Sequence, residues 1–476
     1  MMLICQTFIS FSLLAQKKDF VLVEAESFNE KGGWVLDQQF MDQMGSPFLL
    51  AHGIGKPVQD ASTEVMIPKK GTWHVYARTW NWCSPWKMKE APGRFKIAVN
   101  GAVLDNELGM GTQWDWEYAG SVEIKNKSNS VALKDLTGFE GRCDAILFTK
   151  DKNVVIPNRK EDLSAFRKQL LNIPAKPEDG GYYDLVVVGA WAERHPECSG
   201  AGTAGLSAAI KGAREGLKVA LINNRPVPGG NNSTEIRVVA SGEMNVKPYT
   251  ALGNVIREIR NVYSKEDQVI EMIQAEKMLS YFPNMHVFAA SKVGKQIKSV
   301  TAKHIENGKE VEFFSPLFVD CSGDGNLGYL AGAEYRVGRE MRQETRETLA
   351  PDRPDNIVLG ATISWKSKVM PAEVSFPRCE WAIQFNDESC EKVISGSNWW
   401  ESGFRYDQVN DAEYIRDYLF RAIYGNWAFL KNDSKFKKEY ANRELDMMTY
   451  IVGKRESRRL VGYIQTRRSN CACRGH

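Results

Sequence analysis

Asp184–Arg237, DLVVVGAWAERHPECSGAGTAGLSAAIKGAREGLKVALINNRPVPGGNNSTEIR, decides how this 476-residue chain is read. Leu185–Val188 is a continuous apolar run, the pattern of a parallel strand buried on both faces. Gly200-Ala201-Gly202-Thr203-Ala204-Gly205 follows, then the amphipathic run Leu206–Arg214 with Gly216 as its stop, then a second strand at Lys218–Ile222. Strand, glycine turn, helix and strand make a βαβ unit. Its glycines permit a tight turn, let a pyrophosphate approach bare backbone and leave a helix N-terminus open to negative charge. An acidic residue about 20 residues past the glycines ordinarily holds ribose hydroxyls. Here Asn223 ends the second strand, an amide that still donates and accepts hydrogen bonds.

Arg225-Pro226-Val227-Pro228-Gly229-Gly230-Asn231-Asn232 comes next, with Ser233, Glu235 and Arg237 behind it. Leu317-Phe318-Val319 later runs into the small acidic loop Asp320-Cys321-Ser322-Gly323-Asp324-Gly325-Asn326, and Gly453-Lys454-Arg455-Glu456-Ser457-Arg458-Arg459-Leu460 stands near the end. Together these segments resemble FAD-dependent oxidoreductases, particularly the group related to the heterodisulfide reductase A subunit. In that group the second strand enters an RPV-x-GGN loop and a later strand enters an ATGDG-like loop. The resemblance runs from Tyr183 to about Tyr463. It implies an α/β Rossmann-like FAD-binding domain with an inserted α+β cap, and hydride transfer through FAD N5. It also implies cofactor contacts at Gly200, Gly202, Gly205, Asn223, Arg225, Gly230, Asn231, Ser322, Gly323 and Asp324. Arg455 and Arg458, three apart, would share a helix face and clamp a substrate carboxylate or phosphate; a solvated basic patch is the alternative. Relatives of the heterodisulfide reductase type often carry iron–sulfur clusters, which need several spaced thiolates. Only Cys471-x-Cys473 is present, so no cluster is carried over. No side chain stands out as a catalytic acid or base, and none of the six histidines sits in a motif.

The chain departs from the family pattern twice. Deleting Trp191–Ala201 would join Gly189-Ala190 to Gly202-Thr203-Ala204-Gly205 and restore VVVGAGTAG. The insert holds His195, Pro196 and Cys198; it is either a tolerated loop or a functional lid or redox element. The tail from Thr466 to His476 has no periodicity and resembles nothing in the family, as an early stop after a frame change would. Both departures lead to the expectation that FAD binding is weakened.

At the other end, Met1–Ala15 is apolar and closes with Ser12-Leu13-Leu14-Ala15 before Gln16-Lys17-Lys18-Asp19. This has the form of a secretory signal peptide cut after Ala15, which implies a periplasmic or secreted protein; a buried first strand is the alternative. Removing Cys5 with the leader leaves an even set of cysteines, in which Cys83–Cys143 or Cys379–Cys390 could pair.

Phe20–Thr149 reads as all-β, with short alternating segments at Phe20–Ala25, Thr72–Thr79, Arg94–Asn100, Trp116–Ile124, Ser130–Leu136 and Ala145–Thr149, and Asn100-Gly101 as a tight turn. Strands at this spacing predict a sandwich or jelly roll. VEAESF at the start and GRCDAILF at the end resemble carbohydrate-binding modules of the β-jelly-roll type. Such modules often hold structural calcium on acidic residues of the first and last strands, here Glu24, Glu26 and Asp144, since a hard cation needs several oxygen ligands. In Trp80-Asn81-Trp82-Cys83-Ser84-Pro85-Trp86 the rings of Trp80, Trp82 and Trp86 offer flat faces for a sugar, with Trp114 and Trp116 as a second pair; sandwich core is the competing reading.

The chain is thus multidomain: a signal peptide at 1–15, a carbohydrate-binding-like all-β sandwich at 19–150, a linker with one short helix at 151–182, an FAD-binding domain at 183–345, and a cap and return to the flavin domain at 346–476. Trp399, Trp400 and Trp427 would wall the cap's substrate pocket, and Glu413–Tyr424 would be a helix. The expected partner is a small-molecule or glycan substrate, and no pattern names the electron acceptor. A net charge of +3 spread over both signs gives no reason to expect nucleic-acid binding, and no apolar run is long enough to span a bilayer. Two other readings stay open: a glycan-binding protein with an inactive flavin domain, and a βαβ unit for a nicotinamide cofactor, against which the GGN loop counts.

Overall fold

The computed structural model describes residues 19–189, 203–238, 253–396 and 400–463. The leader at 1–15, the insert with His195, Cys198 and Gly200, then Gly202, Trp399 and the tail with Cys471 and Cys473 lie outside the described residues. The chain divides into two compact units. One comprises the chain up to Ala175 with Lys368–Cys390 and Tyr424–Asp446; the other comprises Lys176–Ser367, Glu391–Ile423 and Met447 onward.

The first unit is a β-sandwich. Its strands are β1 (Phe20–Glu24), β2 (Val35–Asp37), β3 (Phe48–Ala51), β4 (Ala61–Met66), β5 (Gly71–Thr79), β6 (Phe95–Val99), β7 (Ala102–Val103), β8 (Asp115–Ile124), β9 (Ser128–Asp135), β10 (Gly141–Cys143) and β11 (Ala145–Thr149). They form sheets of order β1-β11-β5-β8, β4-β9-β6-β7 and β10-β3-β2. One core joins the two larger sheets, with Trp73, Val75, Ala119, Ile146 and Phe148 from the first against Ala61, Phe95, Ile97, Val131 and Leu133 from the second. Asn100 and Gly101, at φ 50° and 80°, turn β6 into β7 as the Asn-Gly pair predicts. Helix α1 (Lys160–Leu171), expected as part of a linker, instead packs on the outer face of the first sheet. Phe166, Leu170 and Leu171 cover Leu22, Ala145 and Leu147 there.

The segments 368–390 and 424–446, read from the sequence as cap, group with this unit because of their aromatic rings. Phe139 packs edge-on against Trp381 at 5.1 Å and Tyr424 at 5.0 Å. The Tyr424 hydroxyl donates to Glu140 at 2.6 Å. Trp427, expected to wall a substrate pocket, is buried in this packing, 5.7 Å from Tyr440. The expected helix at Glu413–Tyr424 is present as Ala412–Asn432.

The second unit is layered. β12 (Glu178–Tyr182) leads into β13 (Leu185–Val188), followed by α2 (Ala204–Arg214), β14 (Val219–Ile222), α3 (Asn254–Val262), α4 (Glu266–Gln274) and β15 (Leu279–Phe282). A meander of β16 (Met285–Val293), β17 (Gln296–His304) and β18 (Glu310–Phe314) precedes β19 (Phe318–Asp320) and α5 (Asn326–Leu330). The sheet β15-β14-β13-β19 is parallel throughout. Val187 and Leu221 face α2, α3 and α4 through Leu206, Ile210, Ile259 and Ile273. Val186, Val188 and Ile222 face the meander through Met285, Val300 and Phe313. Both faces of the sheet are therefore covered, which is why β13 and β14 read as unbroken apolar runs. β20 (Tyr335–Arg336) pairs antiparallel with β21 (Arg459–Leu460), bringing the end of the described chain back to the region after α5.

Candidate functional site

The parallel order puts the carboxyl ends of β13, β14 and β19 on one edge, the edge at which open α/β sheets take ligands. Gly189 ends β13 at φ 89°, and a Cβ there would sit 2.5 Å from the Cys321 carbonyl oxygen. Only glycine lets β13 pass so close to the loop after β19. In that loop Gly323 and Gly325 are left-handed, at φ 83° and 62°. Asp320 organises the turn: its Oδ1 accepts from the Ser322 amide at 3.0 Å and hydroxyl at 2.6 Å, and its Oδ2 accepts from the Gly328 amide at 2.9 Å. The Ser322 oxygen in turn accepts from the Asn326 amide at 2.8 Å, so this hydroxyl shapes the loop and starts α5. Burial and Asp320 push the Cys321 thiol up to about 11, which leaves it protonated and poorly nucleophilic.

Asn223 is buried at the end of β14. Its Nδ2 donates to the carbonyls of Arg225 at 2.9 Å and Val227 at 3.2 Å, so the amide expected to meet a ribose spends its donor on the turn that follows. Arg225 is also buried, 3.4 Å from Glu235, whose carboxyl is raised by burial against the pull of Arg225. Gly229 and Gly230 take φ 112° and 55° and start a tight turn over Gly230–Asn232. From it Asn231 Nδ2 reaches the Lys454 carbonyl at 2.7 Å. Gly205 lies in the first turn of α2, buried beside Leu206.

The return segment corrects one expectation. Residues 454–458 are irregular rather than helical, and Arg455 and Arg458 take separate partners instead of forming a clamp. Arg455 pairs with Glu401. Arg458 donates to Asn326 Oδ1 at 2.8 Å and lies 4.2 Å over the Tyr329 ring. The residue that reaches the loop after β19 is Lys454, whose Nζ lies 2.7 Å from Asp324 Oδ2 with both residues buried. A helical period pointed to the arginines; without a helix it is the lysine that is buried.

In the sandwich, Glu24, Glu26 and Asp144 do converge, with ligand atoms within 4.8 Å of one another and all three residues buried. Arginines reach the same carboxylates. Arg167 Nη2 lies 2.5 Å and Arg78 Nη1 2.8 Å from Asp144 Oδ2, and Arg167 Nε lies 3.0 Å from Glu24. Ser46 donates to Asp144 at 2.7 Å and accepts from Arg167 at 2.6 Å. Burial alone would raise the Asp144 carboxyl, but Arg167 and Arg78 hold it below its ordinary value. Burial, then Glu24 and Asp144, push Glu26 well above its own. Two guanidiniums already occupy oxygens of Asp144 and Glu24, and with them in place these residues do not fit calcium. The sequence signal was an arginine at helical spacing among Leu163, Phe166 and Leu170, on the buried face of α1.

Of the three tryptophans expected to meet a sugar, Trp82 is fully buried. It donates to the Phe139 carbonyl at 3.0 Å, lies under Arg142 at 5.6 Å and packs edge-on against Trp381, so no sugar reaches its face. Trp80 packs against Trp114, and Trp116 donates to the Pro157 carbonyl at 3.0 Å. Trp86 ends the short turn Ser84–Trp86 and is half-buried. Cys83, Cys143, Cys379 and Cys390 are all free thiols, so neither expected disulfide is formed. No helix among the described residues is long and apolar enough to cross a membrane.

The family model for FAD dependent oxidoreductases matches residues 198–474, more than half of the chain. The chain belongs to that family and is an FAD-dependent oxidoreductase. The match continues past Tyr463 into the tail that the sequence reading had set apart from the family. No curated protein matches the sequence. Among solved structures, a family 35 carbohydrate binding module from Clostridium thermocellum is 17% identical with a TM-score of 0.23, covering 27% of this chain and 96% of its own. A Podospora anserina GH26-CBM35 β-(1,4)-mannanase is 14% identical with a TM-score of 0.23, over 56% of this chain and 66% of that one. The CBM36-1 domain of a multidomain xylanase from the hindgut metagenome of Trinervitermes trinervoides is 14% identical with a TM-score of 0.21, over 28% and 98%.

Proposed function

We propose that the chain is an exported FAD-dependent oxidoreductase acting on a carbohydrate-derived substrate, with a jelly-roll sandwich that engages a glycan. The observation that carries the cofactor site is the meeting of Gly189, the Ser322–Asp324 loop and the Lys454–Asn231 contact beside one edge of the parallel sheet. This unit is read as a Rossmann-like dinucleotide fold. Its RPVPGGN loop supports kinship with the heterodisulfide reductase A group. FAD, when bound, supplies the two-electron chemistry. The chain's own residues would hold it: the start of α2 for the pyrophosphate, Gly230 and Asn231 beside the end of β14, and the Asp324 carboxylate as acceptor for hydroxyls. Arg225 sets the shape of the RPVPGGN turn from inside.

Anaerobic addition of sugar-derived reductants to the flavin-loaded protein is expected to bleach its visible absorption. A band that no such compound bleaches would remove this substrate class. Trp86→Ala is expected to lower retention on insoluble glycans severalfold, since stacking on one aromatic ring contributes on the order of 1 kcal/mol; retention equal to the parent's would take Trp86 out of the glycan site. Export rests on the apolar 1–15 segment, and mass spectrometry should find a mature N-terminus at Gln16. An intact Met1 on the mature protein would overturn it.

A further inference from the structure

We propose that Lys454 is a positioning residue for the cofactor: it holds the Asp324 carboxylate in place and, through its own carbonyl, ties the GGN turn to the same point. The inference rests on reading this edge of the sheet as the FAD site. Lys454 lies in an irregular segment far along the chain from both loops. Its ammonium sits 2.7 Å from Asp324 Oδ2, and both residues are more than nine-tenths buried. Its backbone oxygen accepts from Asn231 Nδ2 at 2.7 Å. One residue therefore fixes the loop after β19 by charge and the turn after β14 by hydrogen bond. Its neighbours lock it in register. Arg458 bonds Asn326 at 2.8 Å, β21 pairs with β20, and Leu460 fills the space a side chain at Gly328 would need, 2.4 Å from the ideal Cβ position.

Removing one partner of a buried ion pair leaves the other group uncompensated. Asp324 has such a partner on one oxygen, which leaves the rest of the carboxylate to accept from a hydroxyl-rich ligand. Arginine in place of lysine would keep the charge and can still donate to Asp324.

The test compares the parent, Lys454→Met, Lys454→Arg and the double variant Asp324→Asn/Lys454→Met, all as full chains. FAD affinity is measured by flavin fluorescence, the bound flavin's visible spectrum is recorded, and apoprotein melting controls for folding. Lys454→Met is expected to weaken FAD at least tenfold and to shift the flavin spectrum, and Lys454→Arg to restore most of both. The double variant, which buries no unpaired charge, should melt near the parent yet still bind FAD weakly. A Lys454→Met variant with parental affinity and spectrum would overturn the proposal while leaving the site reading intact, whereas parental affinity in the double variant would overturn the proposal and remove Asp324 from the site. Failure of Lys454→Arg to recover affinity in a folded protein would also overturn it. No FAD binding by the parent or by a chain lacking residues 191–201 would bring down the site reading and this inference together.

Discussion

Arg167→Met is expected to destabilise the sandwich unit by about 3–5 kcal/mol, the usual cost of removing one partner from a buried ionic cluster. Methionine keeps the side chain's apolar length but takes the guanidinium away from Glu24 and Asp144, leaving Arg78 on Asp144. Calorimetry of the full chain should show the corresponding transition moving down by many degrees. The parent's transition should ignore both calcium and a chelator, because guanidinium groups already face the carboxylates. In Arg167→Met, calcium should recover part of the loss. A parent that melts earlier in chelator would show that the ion, not the arginine, balances the cluster.

The pH dependence of this cluster has two sides. Asp144 is held below its ordinary 3.8, so its contribution is present above that value and is lost as pH falls through the lower folded value. Glu26 is held well above its ordinary 4.5, so its contribution is present below 4.5 and is lost as pH rises through the raised value. Glu26→Gln should remove the alkaline loss, and its advantage over the parent should widen with pH. A constant difference between the two melting curves across that range would show that Glu26 does not titrate there.

Gly189→Val is expected to abolish FAD binding. Valine at φ 89° costs about 1–3 kcal/mol in backbone strain alone. Its Cβ would also meet the Cys321 carbonyl at 2.5 Å and Ser322 Cα at 2.6 Å, so β13 and the loop after β19 must separate. Both contacts are backbone, which cannot swing aside as a side chain does. A weakening of at least a hundredfold is expected by flavin titration, against a smaller effect on melting. Parental affinity in a folded Gly189→Val variant would place the cofactor away from this edge.

The sequence was legible where physics is local. The apolar runs of β13 and β14, the Asn100-Gly101 turn and the alternation of β5 and β8 need only near neighbours to be read. β3, Phe48-Leu49-Leu50-Ala51, was missed because all four residues are buried and the strand shows no alternation. The placement of 368–390 and 424–446 was missed because it depends on Trp381 and Tyr424 meeting Phe139 across hundreds of residues. The site divides the same way. Motif glycines announced the loops at Gly323 and Gly230, but Lys454 and Arg167 act through long-range pairs whose partners no spacing encodes, although helical spacing does place Arg167 on the buried face of α1. The clamp expected of Arg455 and Arg458 needs a helical period, and the segment that carries them is not a helix.

The central claim is that the edge carrying Gly189, the Ser322–Asp324 loop and the GGN turn binds FAD. Its most direct test is titration of FAD into the purified chain, followed by visible absorption and flavin fluorescence, beside Gly189→Val and a chain lacking residues 191–201. The account predicts saturable binding by the parent, tighter binding without the insert, and none by Gly189→Val. A parent and deletion variant that both stay colourless at saturating FAD would contradict it.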